Sequence, residues 1–85
     1  MLLTDDEIKA ITRESFKPFR CVVEILPDRQ MWFEVINQKR PTPIYTEPGI
    51  PIELLREETD LRELLRSVRR LLEARGYRLS PWPAM

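Results

Sequence analysis

Two runs dense in β-branched and aromatic residues, 19–26 (FRCVVEIL) and 31–36 (MWFEVI), stand four residues apart across Pro27-Asp28-Arg29-Gln30. Strand formers on either side of turn formers predict an antiparallel hairpin. A symmetric four-residue loop sets Leu26 opposite Met31. One face then collects Val22, Glu24, Leu26, Met31, Phe33 and Val35, and the other Cys21, Val23, Ile25, Trp32, Glu34 and Ile36. Each face is apolar apart from one Glu, unlike the apolar-in, polar-out alternation of a half-exposed sheet, so cover is expected on both faces.

Helices are expected on both sides of the hairpin. Thr4-Asp5-Asp6-Glu7 has the spacing of a capping box, and Leu3 with Ile8 that of a hydrophobic staple. Pro18 stops the helix that follows, which spans about 5–15 and offers a thin stripe of Ile8, Ile11 and Phe16. Near the other end, Leu61, Leu64, Leu65, Val68, Leu71 and Leu72 follow a helical period, with Asp60 and Glu63 spaced as cap and third residue. Gly76 closes that helix, whose start falls near 52 or near 60.

Residues 37–51 hold four of the eight prolines, Pro41, Pro43, Pro48 and Pro51, and read as a stiff Pro-rich connector. Ile44-Tyr45-Thr46 within it has the residues of a third strand at a sheet edge, where neighbouring prolines are tolerated. Residues 80–85 (SPWPAM) form a tail that cannot continue a helix. The fold class is therefore α+β: an N-terminal helix, an antiparallel hairpin or three-stranded meander, and a long C-terminal amphipathic helix, in one domain over 1–85.

Several function classes are excluded or disfavoured by composition. One Cys and no His permit neither an internal disulfide nor a zinc site of Cys and His ligands. No stretch nears the roughly 20 apolar residues of a membrane span, and the amino terminus lacks a basic start and a hydrophobic h-region, so the expected location is cytoplasmic. Gly49 and Gly76 make neither a dinucleotide fingerprint nor a P-loop. Cys21 has no histidine to activate it and is expected to be a small buried hydrophobe. Glu24 and Glu34 fall on opposite faces in the symmetric register, and Asp5-Asp6-Glu7 is explained by helix capping. No catalytic residue, cofactor or metal ligand is assigned.

Charge is the most informative remaining feature. Fourteen basic residues balance fourteen acidic ones, yet residues 1–14 carry four acids against Lys9 and Arg13, while 62–78 carry six arginines against Glu63 and Glu73. Arg62, Arg66, Arg69 and Arg70 lie on the polar side of the leucine stripe, an arginine face suited to an anion or an acidic partner. Glu58 with Arg62 and Arg69 with Glu73 are spaced as helical ion pairs.

The order helix, strands, helix is similar to that of the double-stranded-RNA-binding domain. That family's basic entry to its second helix is replaced here by Glu57-Glu58-Thr59-Asp60, which weighs against RNA. Residues 20–40 (RCVVEILPDRQMWFEVINQKR), followed by the Arg and Leu helix, also resemble a small bacterial protein family of unknown function. That resemblance implies an α+β domain and assigns no activity. The leading expectation is a small non-catalytic protein-interaction or regulatory module that pairs with another protein or with itself as a homodimer, through Val23, Ile25, Trp32, Ile36 and Trp82. The alternative is a nucleic-acid-binding module that uses the arginine face.

Overall fold

A computed structural model describes residues 2–40 and 42–82. Helix α1 spans Asp5–Glu14, strands β1, β2 and β3 span Arg20–Ile25, Gln30–Ile36 and Pro43–Pro51, a 3₁₀ turn covers Ile52–Leu55, and helix α2 spans Glu58–Ala74. The strands form one antiparallel sheet in the order β1-β2-β3.

The capping box at the start of α1 is complete. The Glu7 amide donates to Thr4 Oγ1 at 3.2 Å, and the Thr4 amide donates to Glu7 Oε1 at 2.9 Å. Both ends of the staple turn inward, with Ile8 buried and Leu3 packed on the core. After α2, Gly76 adopts φ 95°, its amide donates to the Glu73 carbonyl, and the Tyr77 amide donates to the Leu72 carbonyl. This pair of bonds is a Schellman ending, which needs the left-handed residue that glycine supplies.

The hairpin differs from the symmetric expectation by one residue. The Leu26 amide donates to the Gln30 carbonyl, and the Arg29 amide to the Leu26 carbonyl, with Arg29 in the left-handed region at φ 64°. That makes a three-residue loop, a hairpin form in which a turn is followed by one left-handed residue. Ile25 therefore faces Met31 and Val23 faces Phe33. Because side chains alternate with period two, the slip re-sorts every residue of one strand. The inner face gathers Cys21, Val23, Ile25, Met31, Phe33 and Val35, all apolar. The outer face gathers Arg20, Val22, Glu24, Trp32, Glu34 and Ile36. In this register the alternation of a half-exposed sheet is present after all.

The Pro-rich connector is mostly strand. Asn37 turns the chain by accepting from the Arg40 amide at its carbonyl and from the Lys39 amide at its side-chain oxygen. β3 then runs through Ile44-Tyr45-Thr46 and six further residues, with two register irregularities against β2. Its prolines are tolerated because β3 is an edge strand.

Both helices contribute to one core with the inner face of the sheet. Ile8, Phe16, Leu61, Leu65, Val68 and Leu72 close over Val23, Met31, Phe33 and Val35, with Ile52 and Leu55 at one end. Phe33 stacks between Phe16, at 5.6 Å between ring centroids, and Tyr45, at 5.8 Å. The smallest extent of the molecule is 17 Å, the depth of two layers. Helix α2 begins at Glu58 after the 3₁₀ turn, with Glu57 as an N-cap that makes no side-chain bond, so the Asp60 and Glu63 cap is not used.

Candidate functional site

The outer sheet face is the first candidate surface. Trp32 sits at its middle on the central strand, with Glu24 opposite it on β1 and Val22 opposite Glu34 one pair further along. Val22, Trp32 and Ile36 are half-buried by their neighbours on the sheet and do not join the core. Glu34 accepts from Thr46 Oγ1 at 3.0 Å. Glu24 and Glu34 thus share a face as diagonal neighbours, where the symmetric register had separated them.

The five residues assigned to one interface are divided among three places. Val23 is buried in the core, Ile25 packs against the core, and Trp32 and Ile36 lie on the outer face. Trp82 lies on the helical side, with the Arg62 guanidinium 5.1 Å and the Arg69 guanidinium 5.6 Å from its ring centroid. The tail therefore crosses the helices and does not fold over the outer sheet face. Pro83, Ala84 and Met85 lie outside the described residues.

The arginine face is likewise divided. Arg62 pairs with Glu58 at 2.7 Å. Arg69 donates to the Ser15 carbonyl and, at 2.9 Å, to the Ser80 carbonyl, so it ties α2 to the end of α1 and to the tail instead of pairing with Glu73. The Ser80 amide completes the tie by donating to the Lys17 carbonyl at 2.7 Å. Arg66 is half-buried and Arg70 exposed. A groove of about 380 Å³ beside the tail is lined by Ala10, Ile11, Pro81 and Trp82, with Glu14 and Lys17 paired at its rim.

Cys21 is buried, and burial pushes its thiol up to about 12 despite the nearby Arg13 charge. That suits an inert core side chain, since the thiolate is the nucleophile. Among the described residues no group of three or more His, Cys, Asp or Glu side chains could hold a metal ion, and no helix is long and apolar enough to cross a membrane.

Asp5 is the most connected carboxylate. It accepts from Arg56 at 2.6 Å and from Arg29 at 3.2 and 3.4 Å, and these hydrogen bonds, Arg56 first, hold its carboxyl below the ordinary value. The contacts bring the N-terminus of α1, the β1–β2 turn and the 3₁₀ turn to one end of the molecule. The opposite end gathers the end of α1, the start of β1, the β2–β3 turn and the end of α2, where Tyr77 meets Phe19 edge-on at 5.7 Å. There Arg20, Ile36 and the turn Asn37-Gln38-Lys39-Arg40 line a concavity of about 380 Å³. Lys39 and Arg40 were not singled out in the sequence, although the run Gln38-Lys39-Arg40 after a strand is a visible basic signal.

These features define a small two-layer α+β domain with helices on one side of a three-stranded antiparallel sheet and, among the described residues, no helix over its other side. The chain belongs to the family described as "Protein of unknown function (DUF1652)", whose pattern covers residues 6–72. No curated protein and no solved structure matches it.

Proposed function

We propose that this chain is a non-catalytic protein-interaction module that pairs with a second copy through the outer face of its sheet. The observation that carries the reading is the position of Trp32, with Val22 and Ile36, on a sheet face over which no described helix packs. Exposed apolar surface bounded by charged groups marks interaction sites, tryptophan is favoured at their centres, and two-fold pairing joins identical patches.

The size of the face sets the strength. Three strands at about 4.8 Å spacing and six residues at about 3.3 Å span a plane of roughly 300 Å². Stable interfaces bury about 800 Å² per partner, so the pairing is weak and concentration-dependent. A buried, protonated Cys21 and the lack of histidine support the non-catalytic part of the reading. Sedimentation at rising concentration tests the pairing. A dimer that Trp32→Glu abolishes and Leu71→Glu, on the exposed side of α2, leaves intact is the expected result. A monomer that persists into the hundreds of micromolar overturns the proposal.

A further inference from the structure

The fold gathers charges dispersed along the sequence towards two ends of the molecule. Every long element runs from one end of the molecule to the other. Both helices start at the end that holds Asp5, Asp6, Glu7, Asp28, Glu53, Glu57, Glu58 and Asp60, where carboxylates complement the positive ends of the helix dipoles. They finish at the end that holds Arg13, Arg20, Lys39, Arg40, Arg75 and Arg78. Arg13 sits in the last turn of α1 and near Cys21 of β1, Arg75 caps α2 and acts on Tyr45 near the start of β3, and Arg78 follows Tyr77, which rests on Phe19.

The poles differ in how their charges are satisfied. At the acidic pole Asp5 pairs with Arg56 and Arg29, Glu53 with Arg56, Glu58 with Arg62, and Glu7 closes the capping box. At the basic pole none of Arg13, Arg20, Lys39, Arg40, Arg75 and Arg78 enters an ion pair or donates a side-chain hydrogen bond among the described residues, and all six are exposed. No carboxylate lines the concavity of Arg20, Lys39 and Arg40. A net charge of zero therefore conceals a local field at this pole, where Glu14, paired with Lys17, and Glu73 are the acids in the last turns of the two helices.

We infer that the basic pole is a binding site for single-stranded nucleic acid, with backbone phosphates held by Arg20, Lys39 and Arg40. Five of the six cations are arginines, whose planar forks match phosphate oxygens in pairs. Phe19 and Tyr77, next in sequence to Arg20 and Arg78, are half-buried where they pack on the core and meet edge-on, and aromatic rings beside cations suit the stacking of unpaired bases. This site is distinct from the outer sheet face and from the arginine face of α2, where Arg62 and Arg69 are held by Glu58, Ser15, Ser80 and Trp82.

The test is fluorescence anisotropy with a labelled single strand of about 15 nucleotides, the upper range of one small-domain site. Three phosphate contacts at a slope of about −0.7 each predict affinity roughly twenty-fold weaker at 200 mM than at 50 mM salt. Arg20→Glu combined with Arg40→Glu, both at exposed positions, is expected to abolish binding at 50 mM salt with the circular dichroism spectrum unchanged. Arg66→Glu combined with Arg70→Glu is expected to retain at least half the affinity. Absence of binding at 50 mM salt overturns the inference, as does survival of binding in the first double variant or its loss in the second. Competition by duplex DNA or by polyglutamate as effective as that by the single strand also overturns it, in favour of a duplex or an acidic protein ligand.

Discussion

Phe33 and Trp32 are neighbours on β2 whose side chains point to opposite faces, so replacing each in turn tests the hairpin register. Phe33 has no exposed surface and stacks on both Phe16 and Tyr45. Truncating a core Phe to Ala costs about 3–5 kcal/mol, while a chain of this length is stable by roughly 4–13 kcal/mol in total. At the lower end of that range Phe33→Ala leaves the protein at the edge of unfolding, so Phe33→Leu is the measurable variant. It keeps most of the volume and removes two ring pairs worth about 0.5–1.5 kcal/mol each, a loss of about 1–3 kcal/mol. Trp32→Ala removes a half-exposed ring that the core does not hold, and its cost should stay within about 0.5 kcal/mol in the monomer. With a urea slope of about 1 kcal/mol/M for so small a domain, Phe33→Leu lowers the urea midpoint by about 1–3 M and Trp32→Ala by at most about 0.5 M. Both are to be measured by circular dichroism at low micromolar protein. Equal midpoint losses, or a larger loss for Trp32→Ala, would refute the three-residue loop and the division of faces built on it.

Three further outcomes follow from named contacts. Thr4→Ala removes the acceptor for the Glu7 amide and should cost about 1 kcal/mol by urea denaturation, whereas Thr4→Ser should cost far less. Arg69→Ala leaves the Ser15 and Ser80 carbonyls without their donor, so it should cost about 1–3 kcal/mol and, in a Trp32→Phe background, shift Trp82 fluorescence to the red. Cys21 titrates higher in the folded chain, near 12, than the ordinary value of 9.0. The unfolded chain thus releases that proton first, and stability is present below about pH 9 and declines above it by an order of 1 kcal/mol per pH unit. Cys21→Ala should remove that part of the alkaline decline, and Tyr45, raised in the same direction by burial, should account for a further part.

Local chemistry made much of the fold readable. The Thr4 to Glu7 capping box, the leucine stripe of α2 and the Gly76 ending each rest on residues within one or two turns of one another, and each is present. What failed depended on longer range. Turn residues alone did not distinguish a four-residue loop from a three-residue loop with Arg29 in the left-handed region, because glycine, the usual marker of that conformation, is absent. The alternation itself held the answer: only the shifted register puts Cys21, Val23, Ile25, Met31, Phe33 and Val35 together and gathers Glu24 and Glu34 on the other side. β3 was obscured by its prolines, which forbid a central strand but suit an edge. The arginine face was legible as a helix pattern, but that Arg69 would be drawn to the carbonyls of Ser15 and Ser80 depends on how the tail returns. The cluster of Arg20 with Lys39 and Arg40 exists only once β1 and β2 are paired.

The most direct test of the open sheet face as a contact surface is sedimentation equilibrium of the wild-type chain and of Trp32→Glu, from about 10 to 500 µM, a range that suits a weak interface. The mass of the wild-type chain should climb from 10.2 kDa towards twice that value, while Trp32→Glu stays at the monomer mass and keeps its urea midpoint. A wild-type mass that never leaves the monomer value, or a dimer that Trp32→Glu leaves intact, would contradict the proposed pairing.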